Sequence, residues 1–378
     1  MFHLSIPDNR IYGLDVLRAA AIIFVVLGHS TQLISDPLVR RVIATPVLDG
    51  VSIFFVLSGF LIGGILIKSL KAEDARFAVL LNFWHRRWLR TIPAYLLVLV
   101  VLIILVPRSH GLPLYQYFLF IQNFNDVHPW FFPEAWSLSI EEWFYLLIPA
   151  AIFLLVRSGL RPRVSVLGVS IAIILFSIAM RYYKMETNSI ESMVTWDTVI
   201  RKQVLTRLDS IMFGIVGAWL SYYHRALWLR FKTPLLWCGI SLLVAHKLSF
   251  LALRHYEFTF NVYYCVYSFT VSSLGTLLLL PYLSDYRRQG GYFFRLITKI
   301  SLISYSMYLI HLSLVQYYVV PRAMSLSPVQ IPKGMVTDSI ECGMYWVLSF
   351  YGSVLLYKYF EHPIMKKRRT LPRAPQAS

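Results

Sequence analysis

Residues 13–30 read GLDVLRAAAIIFVVLGHS, and residues 50–66 read GVSIFFVLSGFLIGGIL. Each is an apolar run close to the roughly 20 residues with which an α-helix crosses the hydrocarbon core of a bilayer. Backbone groups find no hydrogen-bond partner in lipid, so such runs are expected to span as helices. Working outward from these two, we predict ten spans, at about 11–34, 49–70, 89–106, 138–156, 164–182, 206–223, 234–253, 261–283, 299–319 and 339–358.

The composition supports an all-α polytopic membrane protein. Of the 378 residues, 57% are hydrophobic and 15% are charged, whereas soluble proteins average about 45–50% and about 25%. A soluble single domain, a disordered chain and a disulfide scaffold are therefore excluded. The three cysteines lie far apart in apolar runs, and no cysteine or histidine spacing suggests a metal site.

The distribution of charge predicts the orientation. The net charge is +17. With the N-terminus in the cytoplasm, 23 lysines and arginines fall in cytoplasmic segments and 12 in outward loops, as the positive-inside rule requires. We therefore expect both termini inside, and the KKRR run at 366–369 to be a membrane anchor rather than a nucleic-acid patch. No loop is long enough for a separate soluble domain, so we predict one membrane domain over 1–364 and a basic cytoplasmic tail over 365–378.

Two features of the first two spans stand out. Arg18 and His29 are 11 residues apart on one helix face, about 16 Å along the axis. Arg18 could snorkel to the inner headgroups, and His29 could make a bundle hydrogen bond, but histidine is also the side chain best suited to proton transfer near neutral pH. Gly59 and Gly63 form a GxxxG face, which favours close helix packing over ligand contact.

Three arginines lie at the expected inner face. Arg87 and Arg90 are three residues apart, and Arg86 adds a third charge. Positive-inside anchoring would explain them. The alternative is an anion clamp, because guanidinium groups match phosphate geometry.

Carboxylates and further basic groups lie near the expected outer face. Glu141 and Glu142 open the fourth span, where Ser139 and Glu142 fit a capping box that leaves Glu141 unexplained. Arg207 and Asp209 open the sixth span, and capping with an ion pair could account for both.

The ninth span carries His311 near mid-membrane, among serines and tyrosines that could form a polar network with it. Glu361 and His362 mark the inner end of the last span, and we interpret them as structural. The inner arginines would suit a polyanionic ligand, and the outer histidine and carboxylates would suit proton transfer. Together they suggest group transfer from a phosphorylated cytoplasmic donor.

Seven segments, taken in order, carry a resemblance to a known family. They are GLDVLRAAAIIFVVLGHS, FFVLSGFLI, RRWLRTIPAY, WSLSIEEWFYLLIP, TRLDSIMFG, SYSMYLIH and YFEHP. In this order, over about residues 11–364, the chain resembles the membrane-bound acyltransferase family three, whose members include bacterial O-antigen, exopolysaccharide and Nod-factor O-acetylases.

The resemblance implies a ten-helix domain in the bacterial inner membrane, among membrane lipids. It would move an acyl group, usually acetyl, from cytoplasmic acyl-CoA to a sugar hydroxyl of a cell-surface glycan. The family's basic-residue-to-histidine spacing corresponds to Arg18 and His29, its Arg-x-x-Arg pair to Arg87 and Arg90, and its helix-4 glutamate to Glu141. Some relatives carry an extra outward hydrolase-like domain that completes the transfer. This sequence does not include one, so we expect this chain to act alone or to pass the acyl group to a separate protein.

The hypothesis at this stage is direct transfer. Arg86, Arg87 and Arg90 hold the phosphates of CoA, His29 is the general base, Glu141 orients it with Glu142 beside it, and Arg18 neutralises the donor. Arg207, Asp209 and His311 are expected to contact the substrate, and no metal or nucleic acid is expected.

Three alternatives remain. His29 or another group could carry the acyl group transiently. A proton-coupled transporter of an organic anion would use the same inner arginines, although the apolar pattern shows no internal repeat. A purely structural membrane protein would leave the outer histidine and glutamates unexplained.

Overall fold

Among the residues that the structure describes, ten long α-helices account for most of the chain. The computed structural model describes residues 10–72, 77–106, 112–253, 261–288, 290–326 and 334–367, together with residues 6 and 332. The long helices are α1 (Tyr12–Ser30), α2 (Gly50–Ala72), α3 (Phe77–Leu105), α4 (Ala135–Arg157), α5 (Pro162–Thr187), α6 (Val204–Tyr223), α7 (Lys232–Leu253), α8 (Ser268–Leu283), α9 (Tyr292–Ile310) and α10 (Met335–Leu356).

The predicted all-α membrane architecture is confirmed. Within the described ranges there is no strand, and nine helical segments are long and apolar enough to cross a membrane. The tenth predicted span corresponds to α10, which has 22 residues but is not among those nine. Which side of the membrane each terminus occupies stays a prediction. Residues 368–378 of the predicted basic tail lie outside the described residues.

Several helices begin earlier than the hydropathy pattern predicts. The third predicted span, 89–106, belongs to a helix that already starts at Phe77, so the three arginines of the RRWLR segment lie inside α3. The fourth span, predicted from 138, starts at Ala135. Polar residues at the ends of a helix lower its hydropathy without ending it, because the hydrogen-bonding period continues.

Glycine allows a close backbone contact between α2 and α6. A Cβ atom on Gly59 of α2 would lie 1.9 Å from the carbonyl oxygen of Ile211 on α6, and one on Gly214 would lie 2.0 Å from the carbonyl oxygen of Val56. The two backbones are therefore in direct contact. The GxxxG face serves helix packing, which is the interpretation that the sequence pattern favoured. Further out, α7 leaves Trp237 and Leu248 exposed, as expected of a peripheral, lipid-facing helix.

Several spans change helix type. Helix α9 continues as a π-helix over His311–Val319 and ends with the short helix Val320–Ser325. Further π-helices are Trp196–Arg201, Tyr263–Tyr267 and Tyr357–Glu361. The remaining short elements are a 3₁₀ helix at Thr31–Leu33 and α-helices at Pro37–Ala44, Tyr115–Phe118, Met193–Thr195, Arg225–Arg230 and His362–Lys367. Because π-helical turns are frequent at functional sites, the segment that begins at His311 is of particular interest.

The aromatic segment before α4 packs into the bundle. The side chains of Tyr117 and Phe132 are fully buried, and the Tyr95 hydroxyl of α3 donates to the carbonyl oxygen of Tyr117 at 2.9 Å. The carbonyl oxygen of Asn123 accepts from the backbone N–H of Val204 at 3.0 Å. This segment therefore joins α3 to the start of α6.

Candidate active site

Four of the predicted site residues line one cavity. Arg18 from α1, Arg87 and Arg90 from α3, and Glu141 from α4 face a space of about 100 Å³, here called the arginine cavity. Arg86 is exposed and is not part of its lining, although it lies beside Arg87 in sequence. Other lining side chains are Phe54, Phe55, Ser58, Thr91, Ser137, Tyr145, Tyr305 and Tyr308.

Helical spacing explains this selection among the arginines. Residues three apart lie on the same face of a helix, whereas neighbours in sequence point about 100° apart. Arg87 and Arg90 therefore share the face of α3 that lines the cavity, and the Arg87 guanidinium also lies 5.8 Å from the ring centre of Phe83. With three guanidinium groups around one carboxylate, the lining favours an anionic ligand.

The two adjacent glutamates have different surroundings. Glu141 Oε2 accepts a hydrogen bond from the Tyr145 hydroxyl at 3.1 Å, within the arginine cavity. Glu142 is buried, and its Oε1 accepts from the Thr91 hydroxyl at 2.6 Å. The capping-box alternative for Glu142 does not occur, because Ser139 lies inside α4 and the N-cap residue is Glu134.

His29 lines a second, larger cavity of about 440 Å³, here called the histidine cavity. Asp49, Arg201, His246 and Trp196 also line it. Its volume is within the ~300–1,000 Å³ range of small-molecule sites, and it combines aromatic surface with a few polar groups, as such sites do.

An ion pair crosses one wall of the histidine cavity. Asp49 Oδ1 lies 3.6 Å from Arg201, and Asp49 Oδ2 accepts from the Ser52 hydroxyl at 2.6 Å. Burial raises the pKa of the Asp49 carboxyl, but the guanidinium groups of Arg201 and Arg207 outweigh it and hold the pKa below its usual value. Asp49 is therefore a carboxylate, and a hydrogen-bond acceptor, at neutral pH.

The partner of the His29 ring is a histidine. His311 Nε2 lies 3.0 Å from His29 Nδ1. The sequence-based hypothesis gave the orienting role to Glu141, whose hydrogen-bond partner is instead Tyr145. His311 is fully buried and is not among the residues lining either cavity.

The two cavities share a wall. Val51 of α2 lines both. Tyr308 lines the arginine cavity, and its ring centre lies 5.7 Å from that of His311. A path of touching side chains therefore leads from the arginine cavity through Tyr308 and His311 to His29.

Arg207 and Asp209 lie elsewhere in the bundle. Both are fully buried, and neither is among the residues lining the two cavities. Asp209 pairs with Arg181 of α5 at 2.8 Å. Arg207 donates to Ser52 at 2.7 Å, and its guanidinium lies 3.8 Å from the ring centre of Phe269. Their contacts support the wall that carries Asp49.

Sequence reasoning missed several site residues. Asp49 precedes α2 by one residue and has Ser52 three positions later, an acid-before-helix signal that could have been noticed. Arg181 lies inside a predicted span and met the same criterion that selected Arg18. Glu134 carried a weaker signal. It is the buried residue directly before α4, and its carboxylate accepts hydrogen bonds from the Ser313 backbone N–H at 3.1 Å and from the Ser313 hydroxyl.

Among the described residues, no group of three or more histidines, cysteines, aspartates or glutamates could hold a metal ion.

The sequence that carries these residues matches a known family over nearly its whole length. The profile of the acyltransferase domain matches residues 11–358. The chain belongs to the membrane-bound acyltransferase family three.

Two relatives from Staphylococcus aureus indicate the chemistry found in this group. A protein of strain COL, provisionally named an O-acetyltransferase, is 27% identical over 55% of this chain and 34% of its own length. O-acetyltransferase OatA of strain NCTC 8325 / PS 47 is 35% identical over 40% of this chain and 26% of its own length. The chain thus spans about a third or less of these relatives. No solved structure matches it.

Proposed function

We propose that this chain is an integral-membrane O-acyltransferase of the bacterial inner membrane. It would move an acyl group, acetyl in the first instance, from cytoplasmic acyl-CoA to a sugar hydroxyl of a cell-surface or lipid-linked glycan. Family membership and the O-acetyltransferase names of the relatives support the reaction class. The observation that carries the proposal is the arginine cavity next to a cavity that contains a histidine.

The donor would bind in the arginine cavity. Arg87 and Arg90 would hold the CoA phosphates by charge-assisted hydrogen bonds, and Arg18 would neutralise the remaining charge. Glu141, held by Tyr145, would keep the guanidinium groups apart and oriented. The thioester would then extend past Val51 toward His29.

The acceptor would enter the histidine cavity. His29 would remove the proton of the acceptor hydroxyl as its oxygen forms a bond to the acyl carbon. The carbon–sulfur bond of the thioester would break, and the imidazolium would return the proton to the sulfur of CoA. Atoms and charge balance without any further reactant, and a general base typically contributes about 10²–10⁴-fold in rate.

Two substrates on opposite sides of a shared wall explain why the polar groups form two clusters. A single-site acyltransferase would need only one. Here the carboxylate of Asp49 and the aromatic ring of Trp196 could bind a hydroxylated ring in the histidine cavity, while the arginines bind the phosphates.

Acetyl-labelled acetyl-CoA tests the proposal in vesicles containing the purified full chain and a bacterial glycan extract. We expect label covalently attached to glycan, and we expect His29→Gln to abolish the transfer at equal membrane content. Label that accumulates inside the vesicles without covalent attachment would instead identify a transporter. Undiminished glycan labelling by His29→Gln would remove His29 as the base.

A further inference from the structure

The hydrogen bond between His29 and His311 is fully buried at its His311 end, whereas His29 is half-buried and lines the histidine cavity. The two ring centres are 5.0 Å apart, and the exposed fraction of His311 is 0%. A buried imidazole needs partners for both nitrogens, because an unsatisfied polar group inside a protein is costly. The partners of His311 therefore decide where its proton lies.

The second nitrogen of His311 is held by backbone carbonyl groups. Its Nδ1 lies 2.8 Å from the oxygen of Tyr308 and 3.2 Å from that of Met307. A carbonyl oxygen can only accept, so Nδ1 of His311 carries the hydrogen and donates it. In the neutral ring, Nε2 is then an acceptor, and Nδ1 of His29 must donate to it.

We propose that His311 is a positioning residue that fixes the tautomer of His29, a role that rests on the acyltransfer function proposed above. With its hydrogen held on Nδ1, neutral His29 carries its lone pair on Nε2. A general base must present a lone pair to the hydroxyl that it deprotonates, and the hydrogen bond at the other nitrogen determines which one is available. His311 thus acts through His29 and has no contact with substrate.

The π-helical segment holds the backbone of His29 as well as its ring. The Gln316 side chain donates to the carbonyl oxygen of His29 at 3.3 Å, and Gln316 lies on the same π-helix that begins at His311. On α10, the Tyr345 hydroxyl donates to the carbonyl oxygen of Val26 at 3.1 Å. The end of α1 is therefore fixed from two sides, as a precisely oriented base requires.

Two matched substitutions test the role of the ring nitrogen. In His311→Gln the carboxamide oxygen can reach the former position of Nε2 and accept from His29. In His311→Asn the carboxamide reaches only the former position of Nδ1. We expect kcat of the asparagine variant to fall by about 10–10²-fold, which is no more than the lower end of the ~10²–10⁴-fold that a general base contributes. The glutamine variant should retain most of the wild-type kcat, and the KM for acetyl-CoA should stay constant in both.

Nitrogen-15 NMR of histidine-labelled protein gives a readout that does not depend on activity. The His29 signals are assigned by their loss in His29→Gln. In the wild type we expect Nδ1 to be protonated and Nε2 to be unprotonated, and in His311→Asn we expect a mixture of tautomers. Equal kcat losses in the glutamine and asparagine variants, or a His29 tautomer that is unchanged in His311→Asn, would overturn the proposal. Undiminished glycan labelling by His29→Gln would instead remove His29 as the base, and label without covalent attachment to glycan would overturn the function on which the proposal rests.

Discussion

Replacing Gly59 by alanine should separate the two helices at the centre of the bundle. The new methyl group would lie 1.9 Å from the carbonyl oxygen of Ile211 and 3.1 Å from the Cα atom of Gly214. Ordinary contact begins near 3.4 Å, so α2 and α6 would have to move apart by about 1.5 Å locally. The obstacle is backbone, so no flexible side chain can move aside.

The expected cost follows from this geometry. Overpacking costs typically about 1–3 kcal/mol, and a backbone obstacle places Gly59→Ala at the upper end, near 3 kcal/mol. The gain in helix propensity from glycine to alanine offsets about 1 kcal/mol. We therefore expect a net loss of about 2 kcal/mol.

Gly64 provides a matched control on the same helix. A Cβ atom there would have nothing within 4 Å, so Gly64→Ala should leave stability unchanged or raise it by up to about 1 kcal/mol. The assay is thermal unfolding of both variants in the same detergent, with the folded fraction at each temperature measured by size-exclusion chromatography. Because Ser58 beside Gly59 lines the arginine cavity, the KM for acetyl-CoA should also rise in Gly59→Ala alone. Equal midpoints for the two variants would refute the backbone contact.

Three further predictions follow from other contacts. Arg90→Gln should weaken acetyl-CoA binding by about 10–100-fold, in line with the ~1.5–3 kcal/mol of a hydrogen bond to a charged group. Because Arg86 is exposed, calorimetry should show a smaller effect for Arg86→Gln. The reverse order would contradict the assignment of Arg90 to the cavity. Asp209→Asn leaves buried Arg181 without its carboxylate and should cost about 3–5 kcal/mol of stability. As a control, Asp285→Asn breaks a partly exposed pair with Lys232 and should cost about 1 kcal/mol or less. Similar melting curves for the two variants would argue against the buried pair. Burial raises the pKa of Glu134 to about 7 from 4.5, so between those pH values the folded chain keeps a proton that the unfolded chain has lost. Stability should therefore fall as the pH rises through this window and then level off. Glu134→Gln should flatten that part of a profile of melting temperature against pH, and an unchanged slope would exclude Glu134 as its source.

The sequence identified the charged side chains that line the arginine cavity, because local rules applied to them. Arg87 and Arg90 were paired by a three-residue spacing, and helical geometry alone places such residues on one face. Arg18 was selected because a charge inside an apolar span is costly and therefore informative. The same reasoning included Arg86, which the helix turns outward.

Contacts between distant segments could not be derived in the same way. Glu141 was expected to orient His29, yet 282 residues separate His29 from the histidine that contacts it. An ion pair between Arg207 and Asp209 was the alternative to substrate contact, but Asp209 pairs with Arg181 on another helix. Residues two apart point to different sides of a helix, so the nearest charge in sequence need not be the nearest in space.

By itself, the sequence determined that the chain spans a membrane as about ten helices, which charges lie within them, and to which family it belongs. These follow from hydrophobicity, from helical period and from the order of short motifs, all of which are local properties of the chain. Only the tertiary structure decided that the polar groups form two cavities with a common wall, and that a histidine rather than a carboxylate contacts His29. Helix neighbours and rotations are set by packing, as at Gly59 and Gly214, and packing depends on every helix at once.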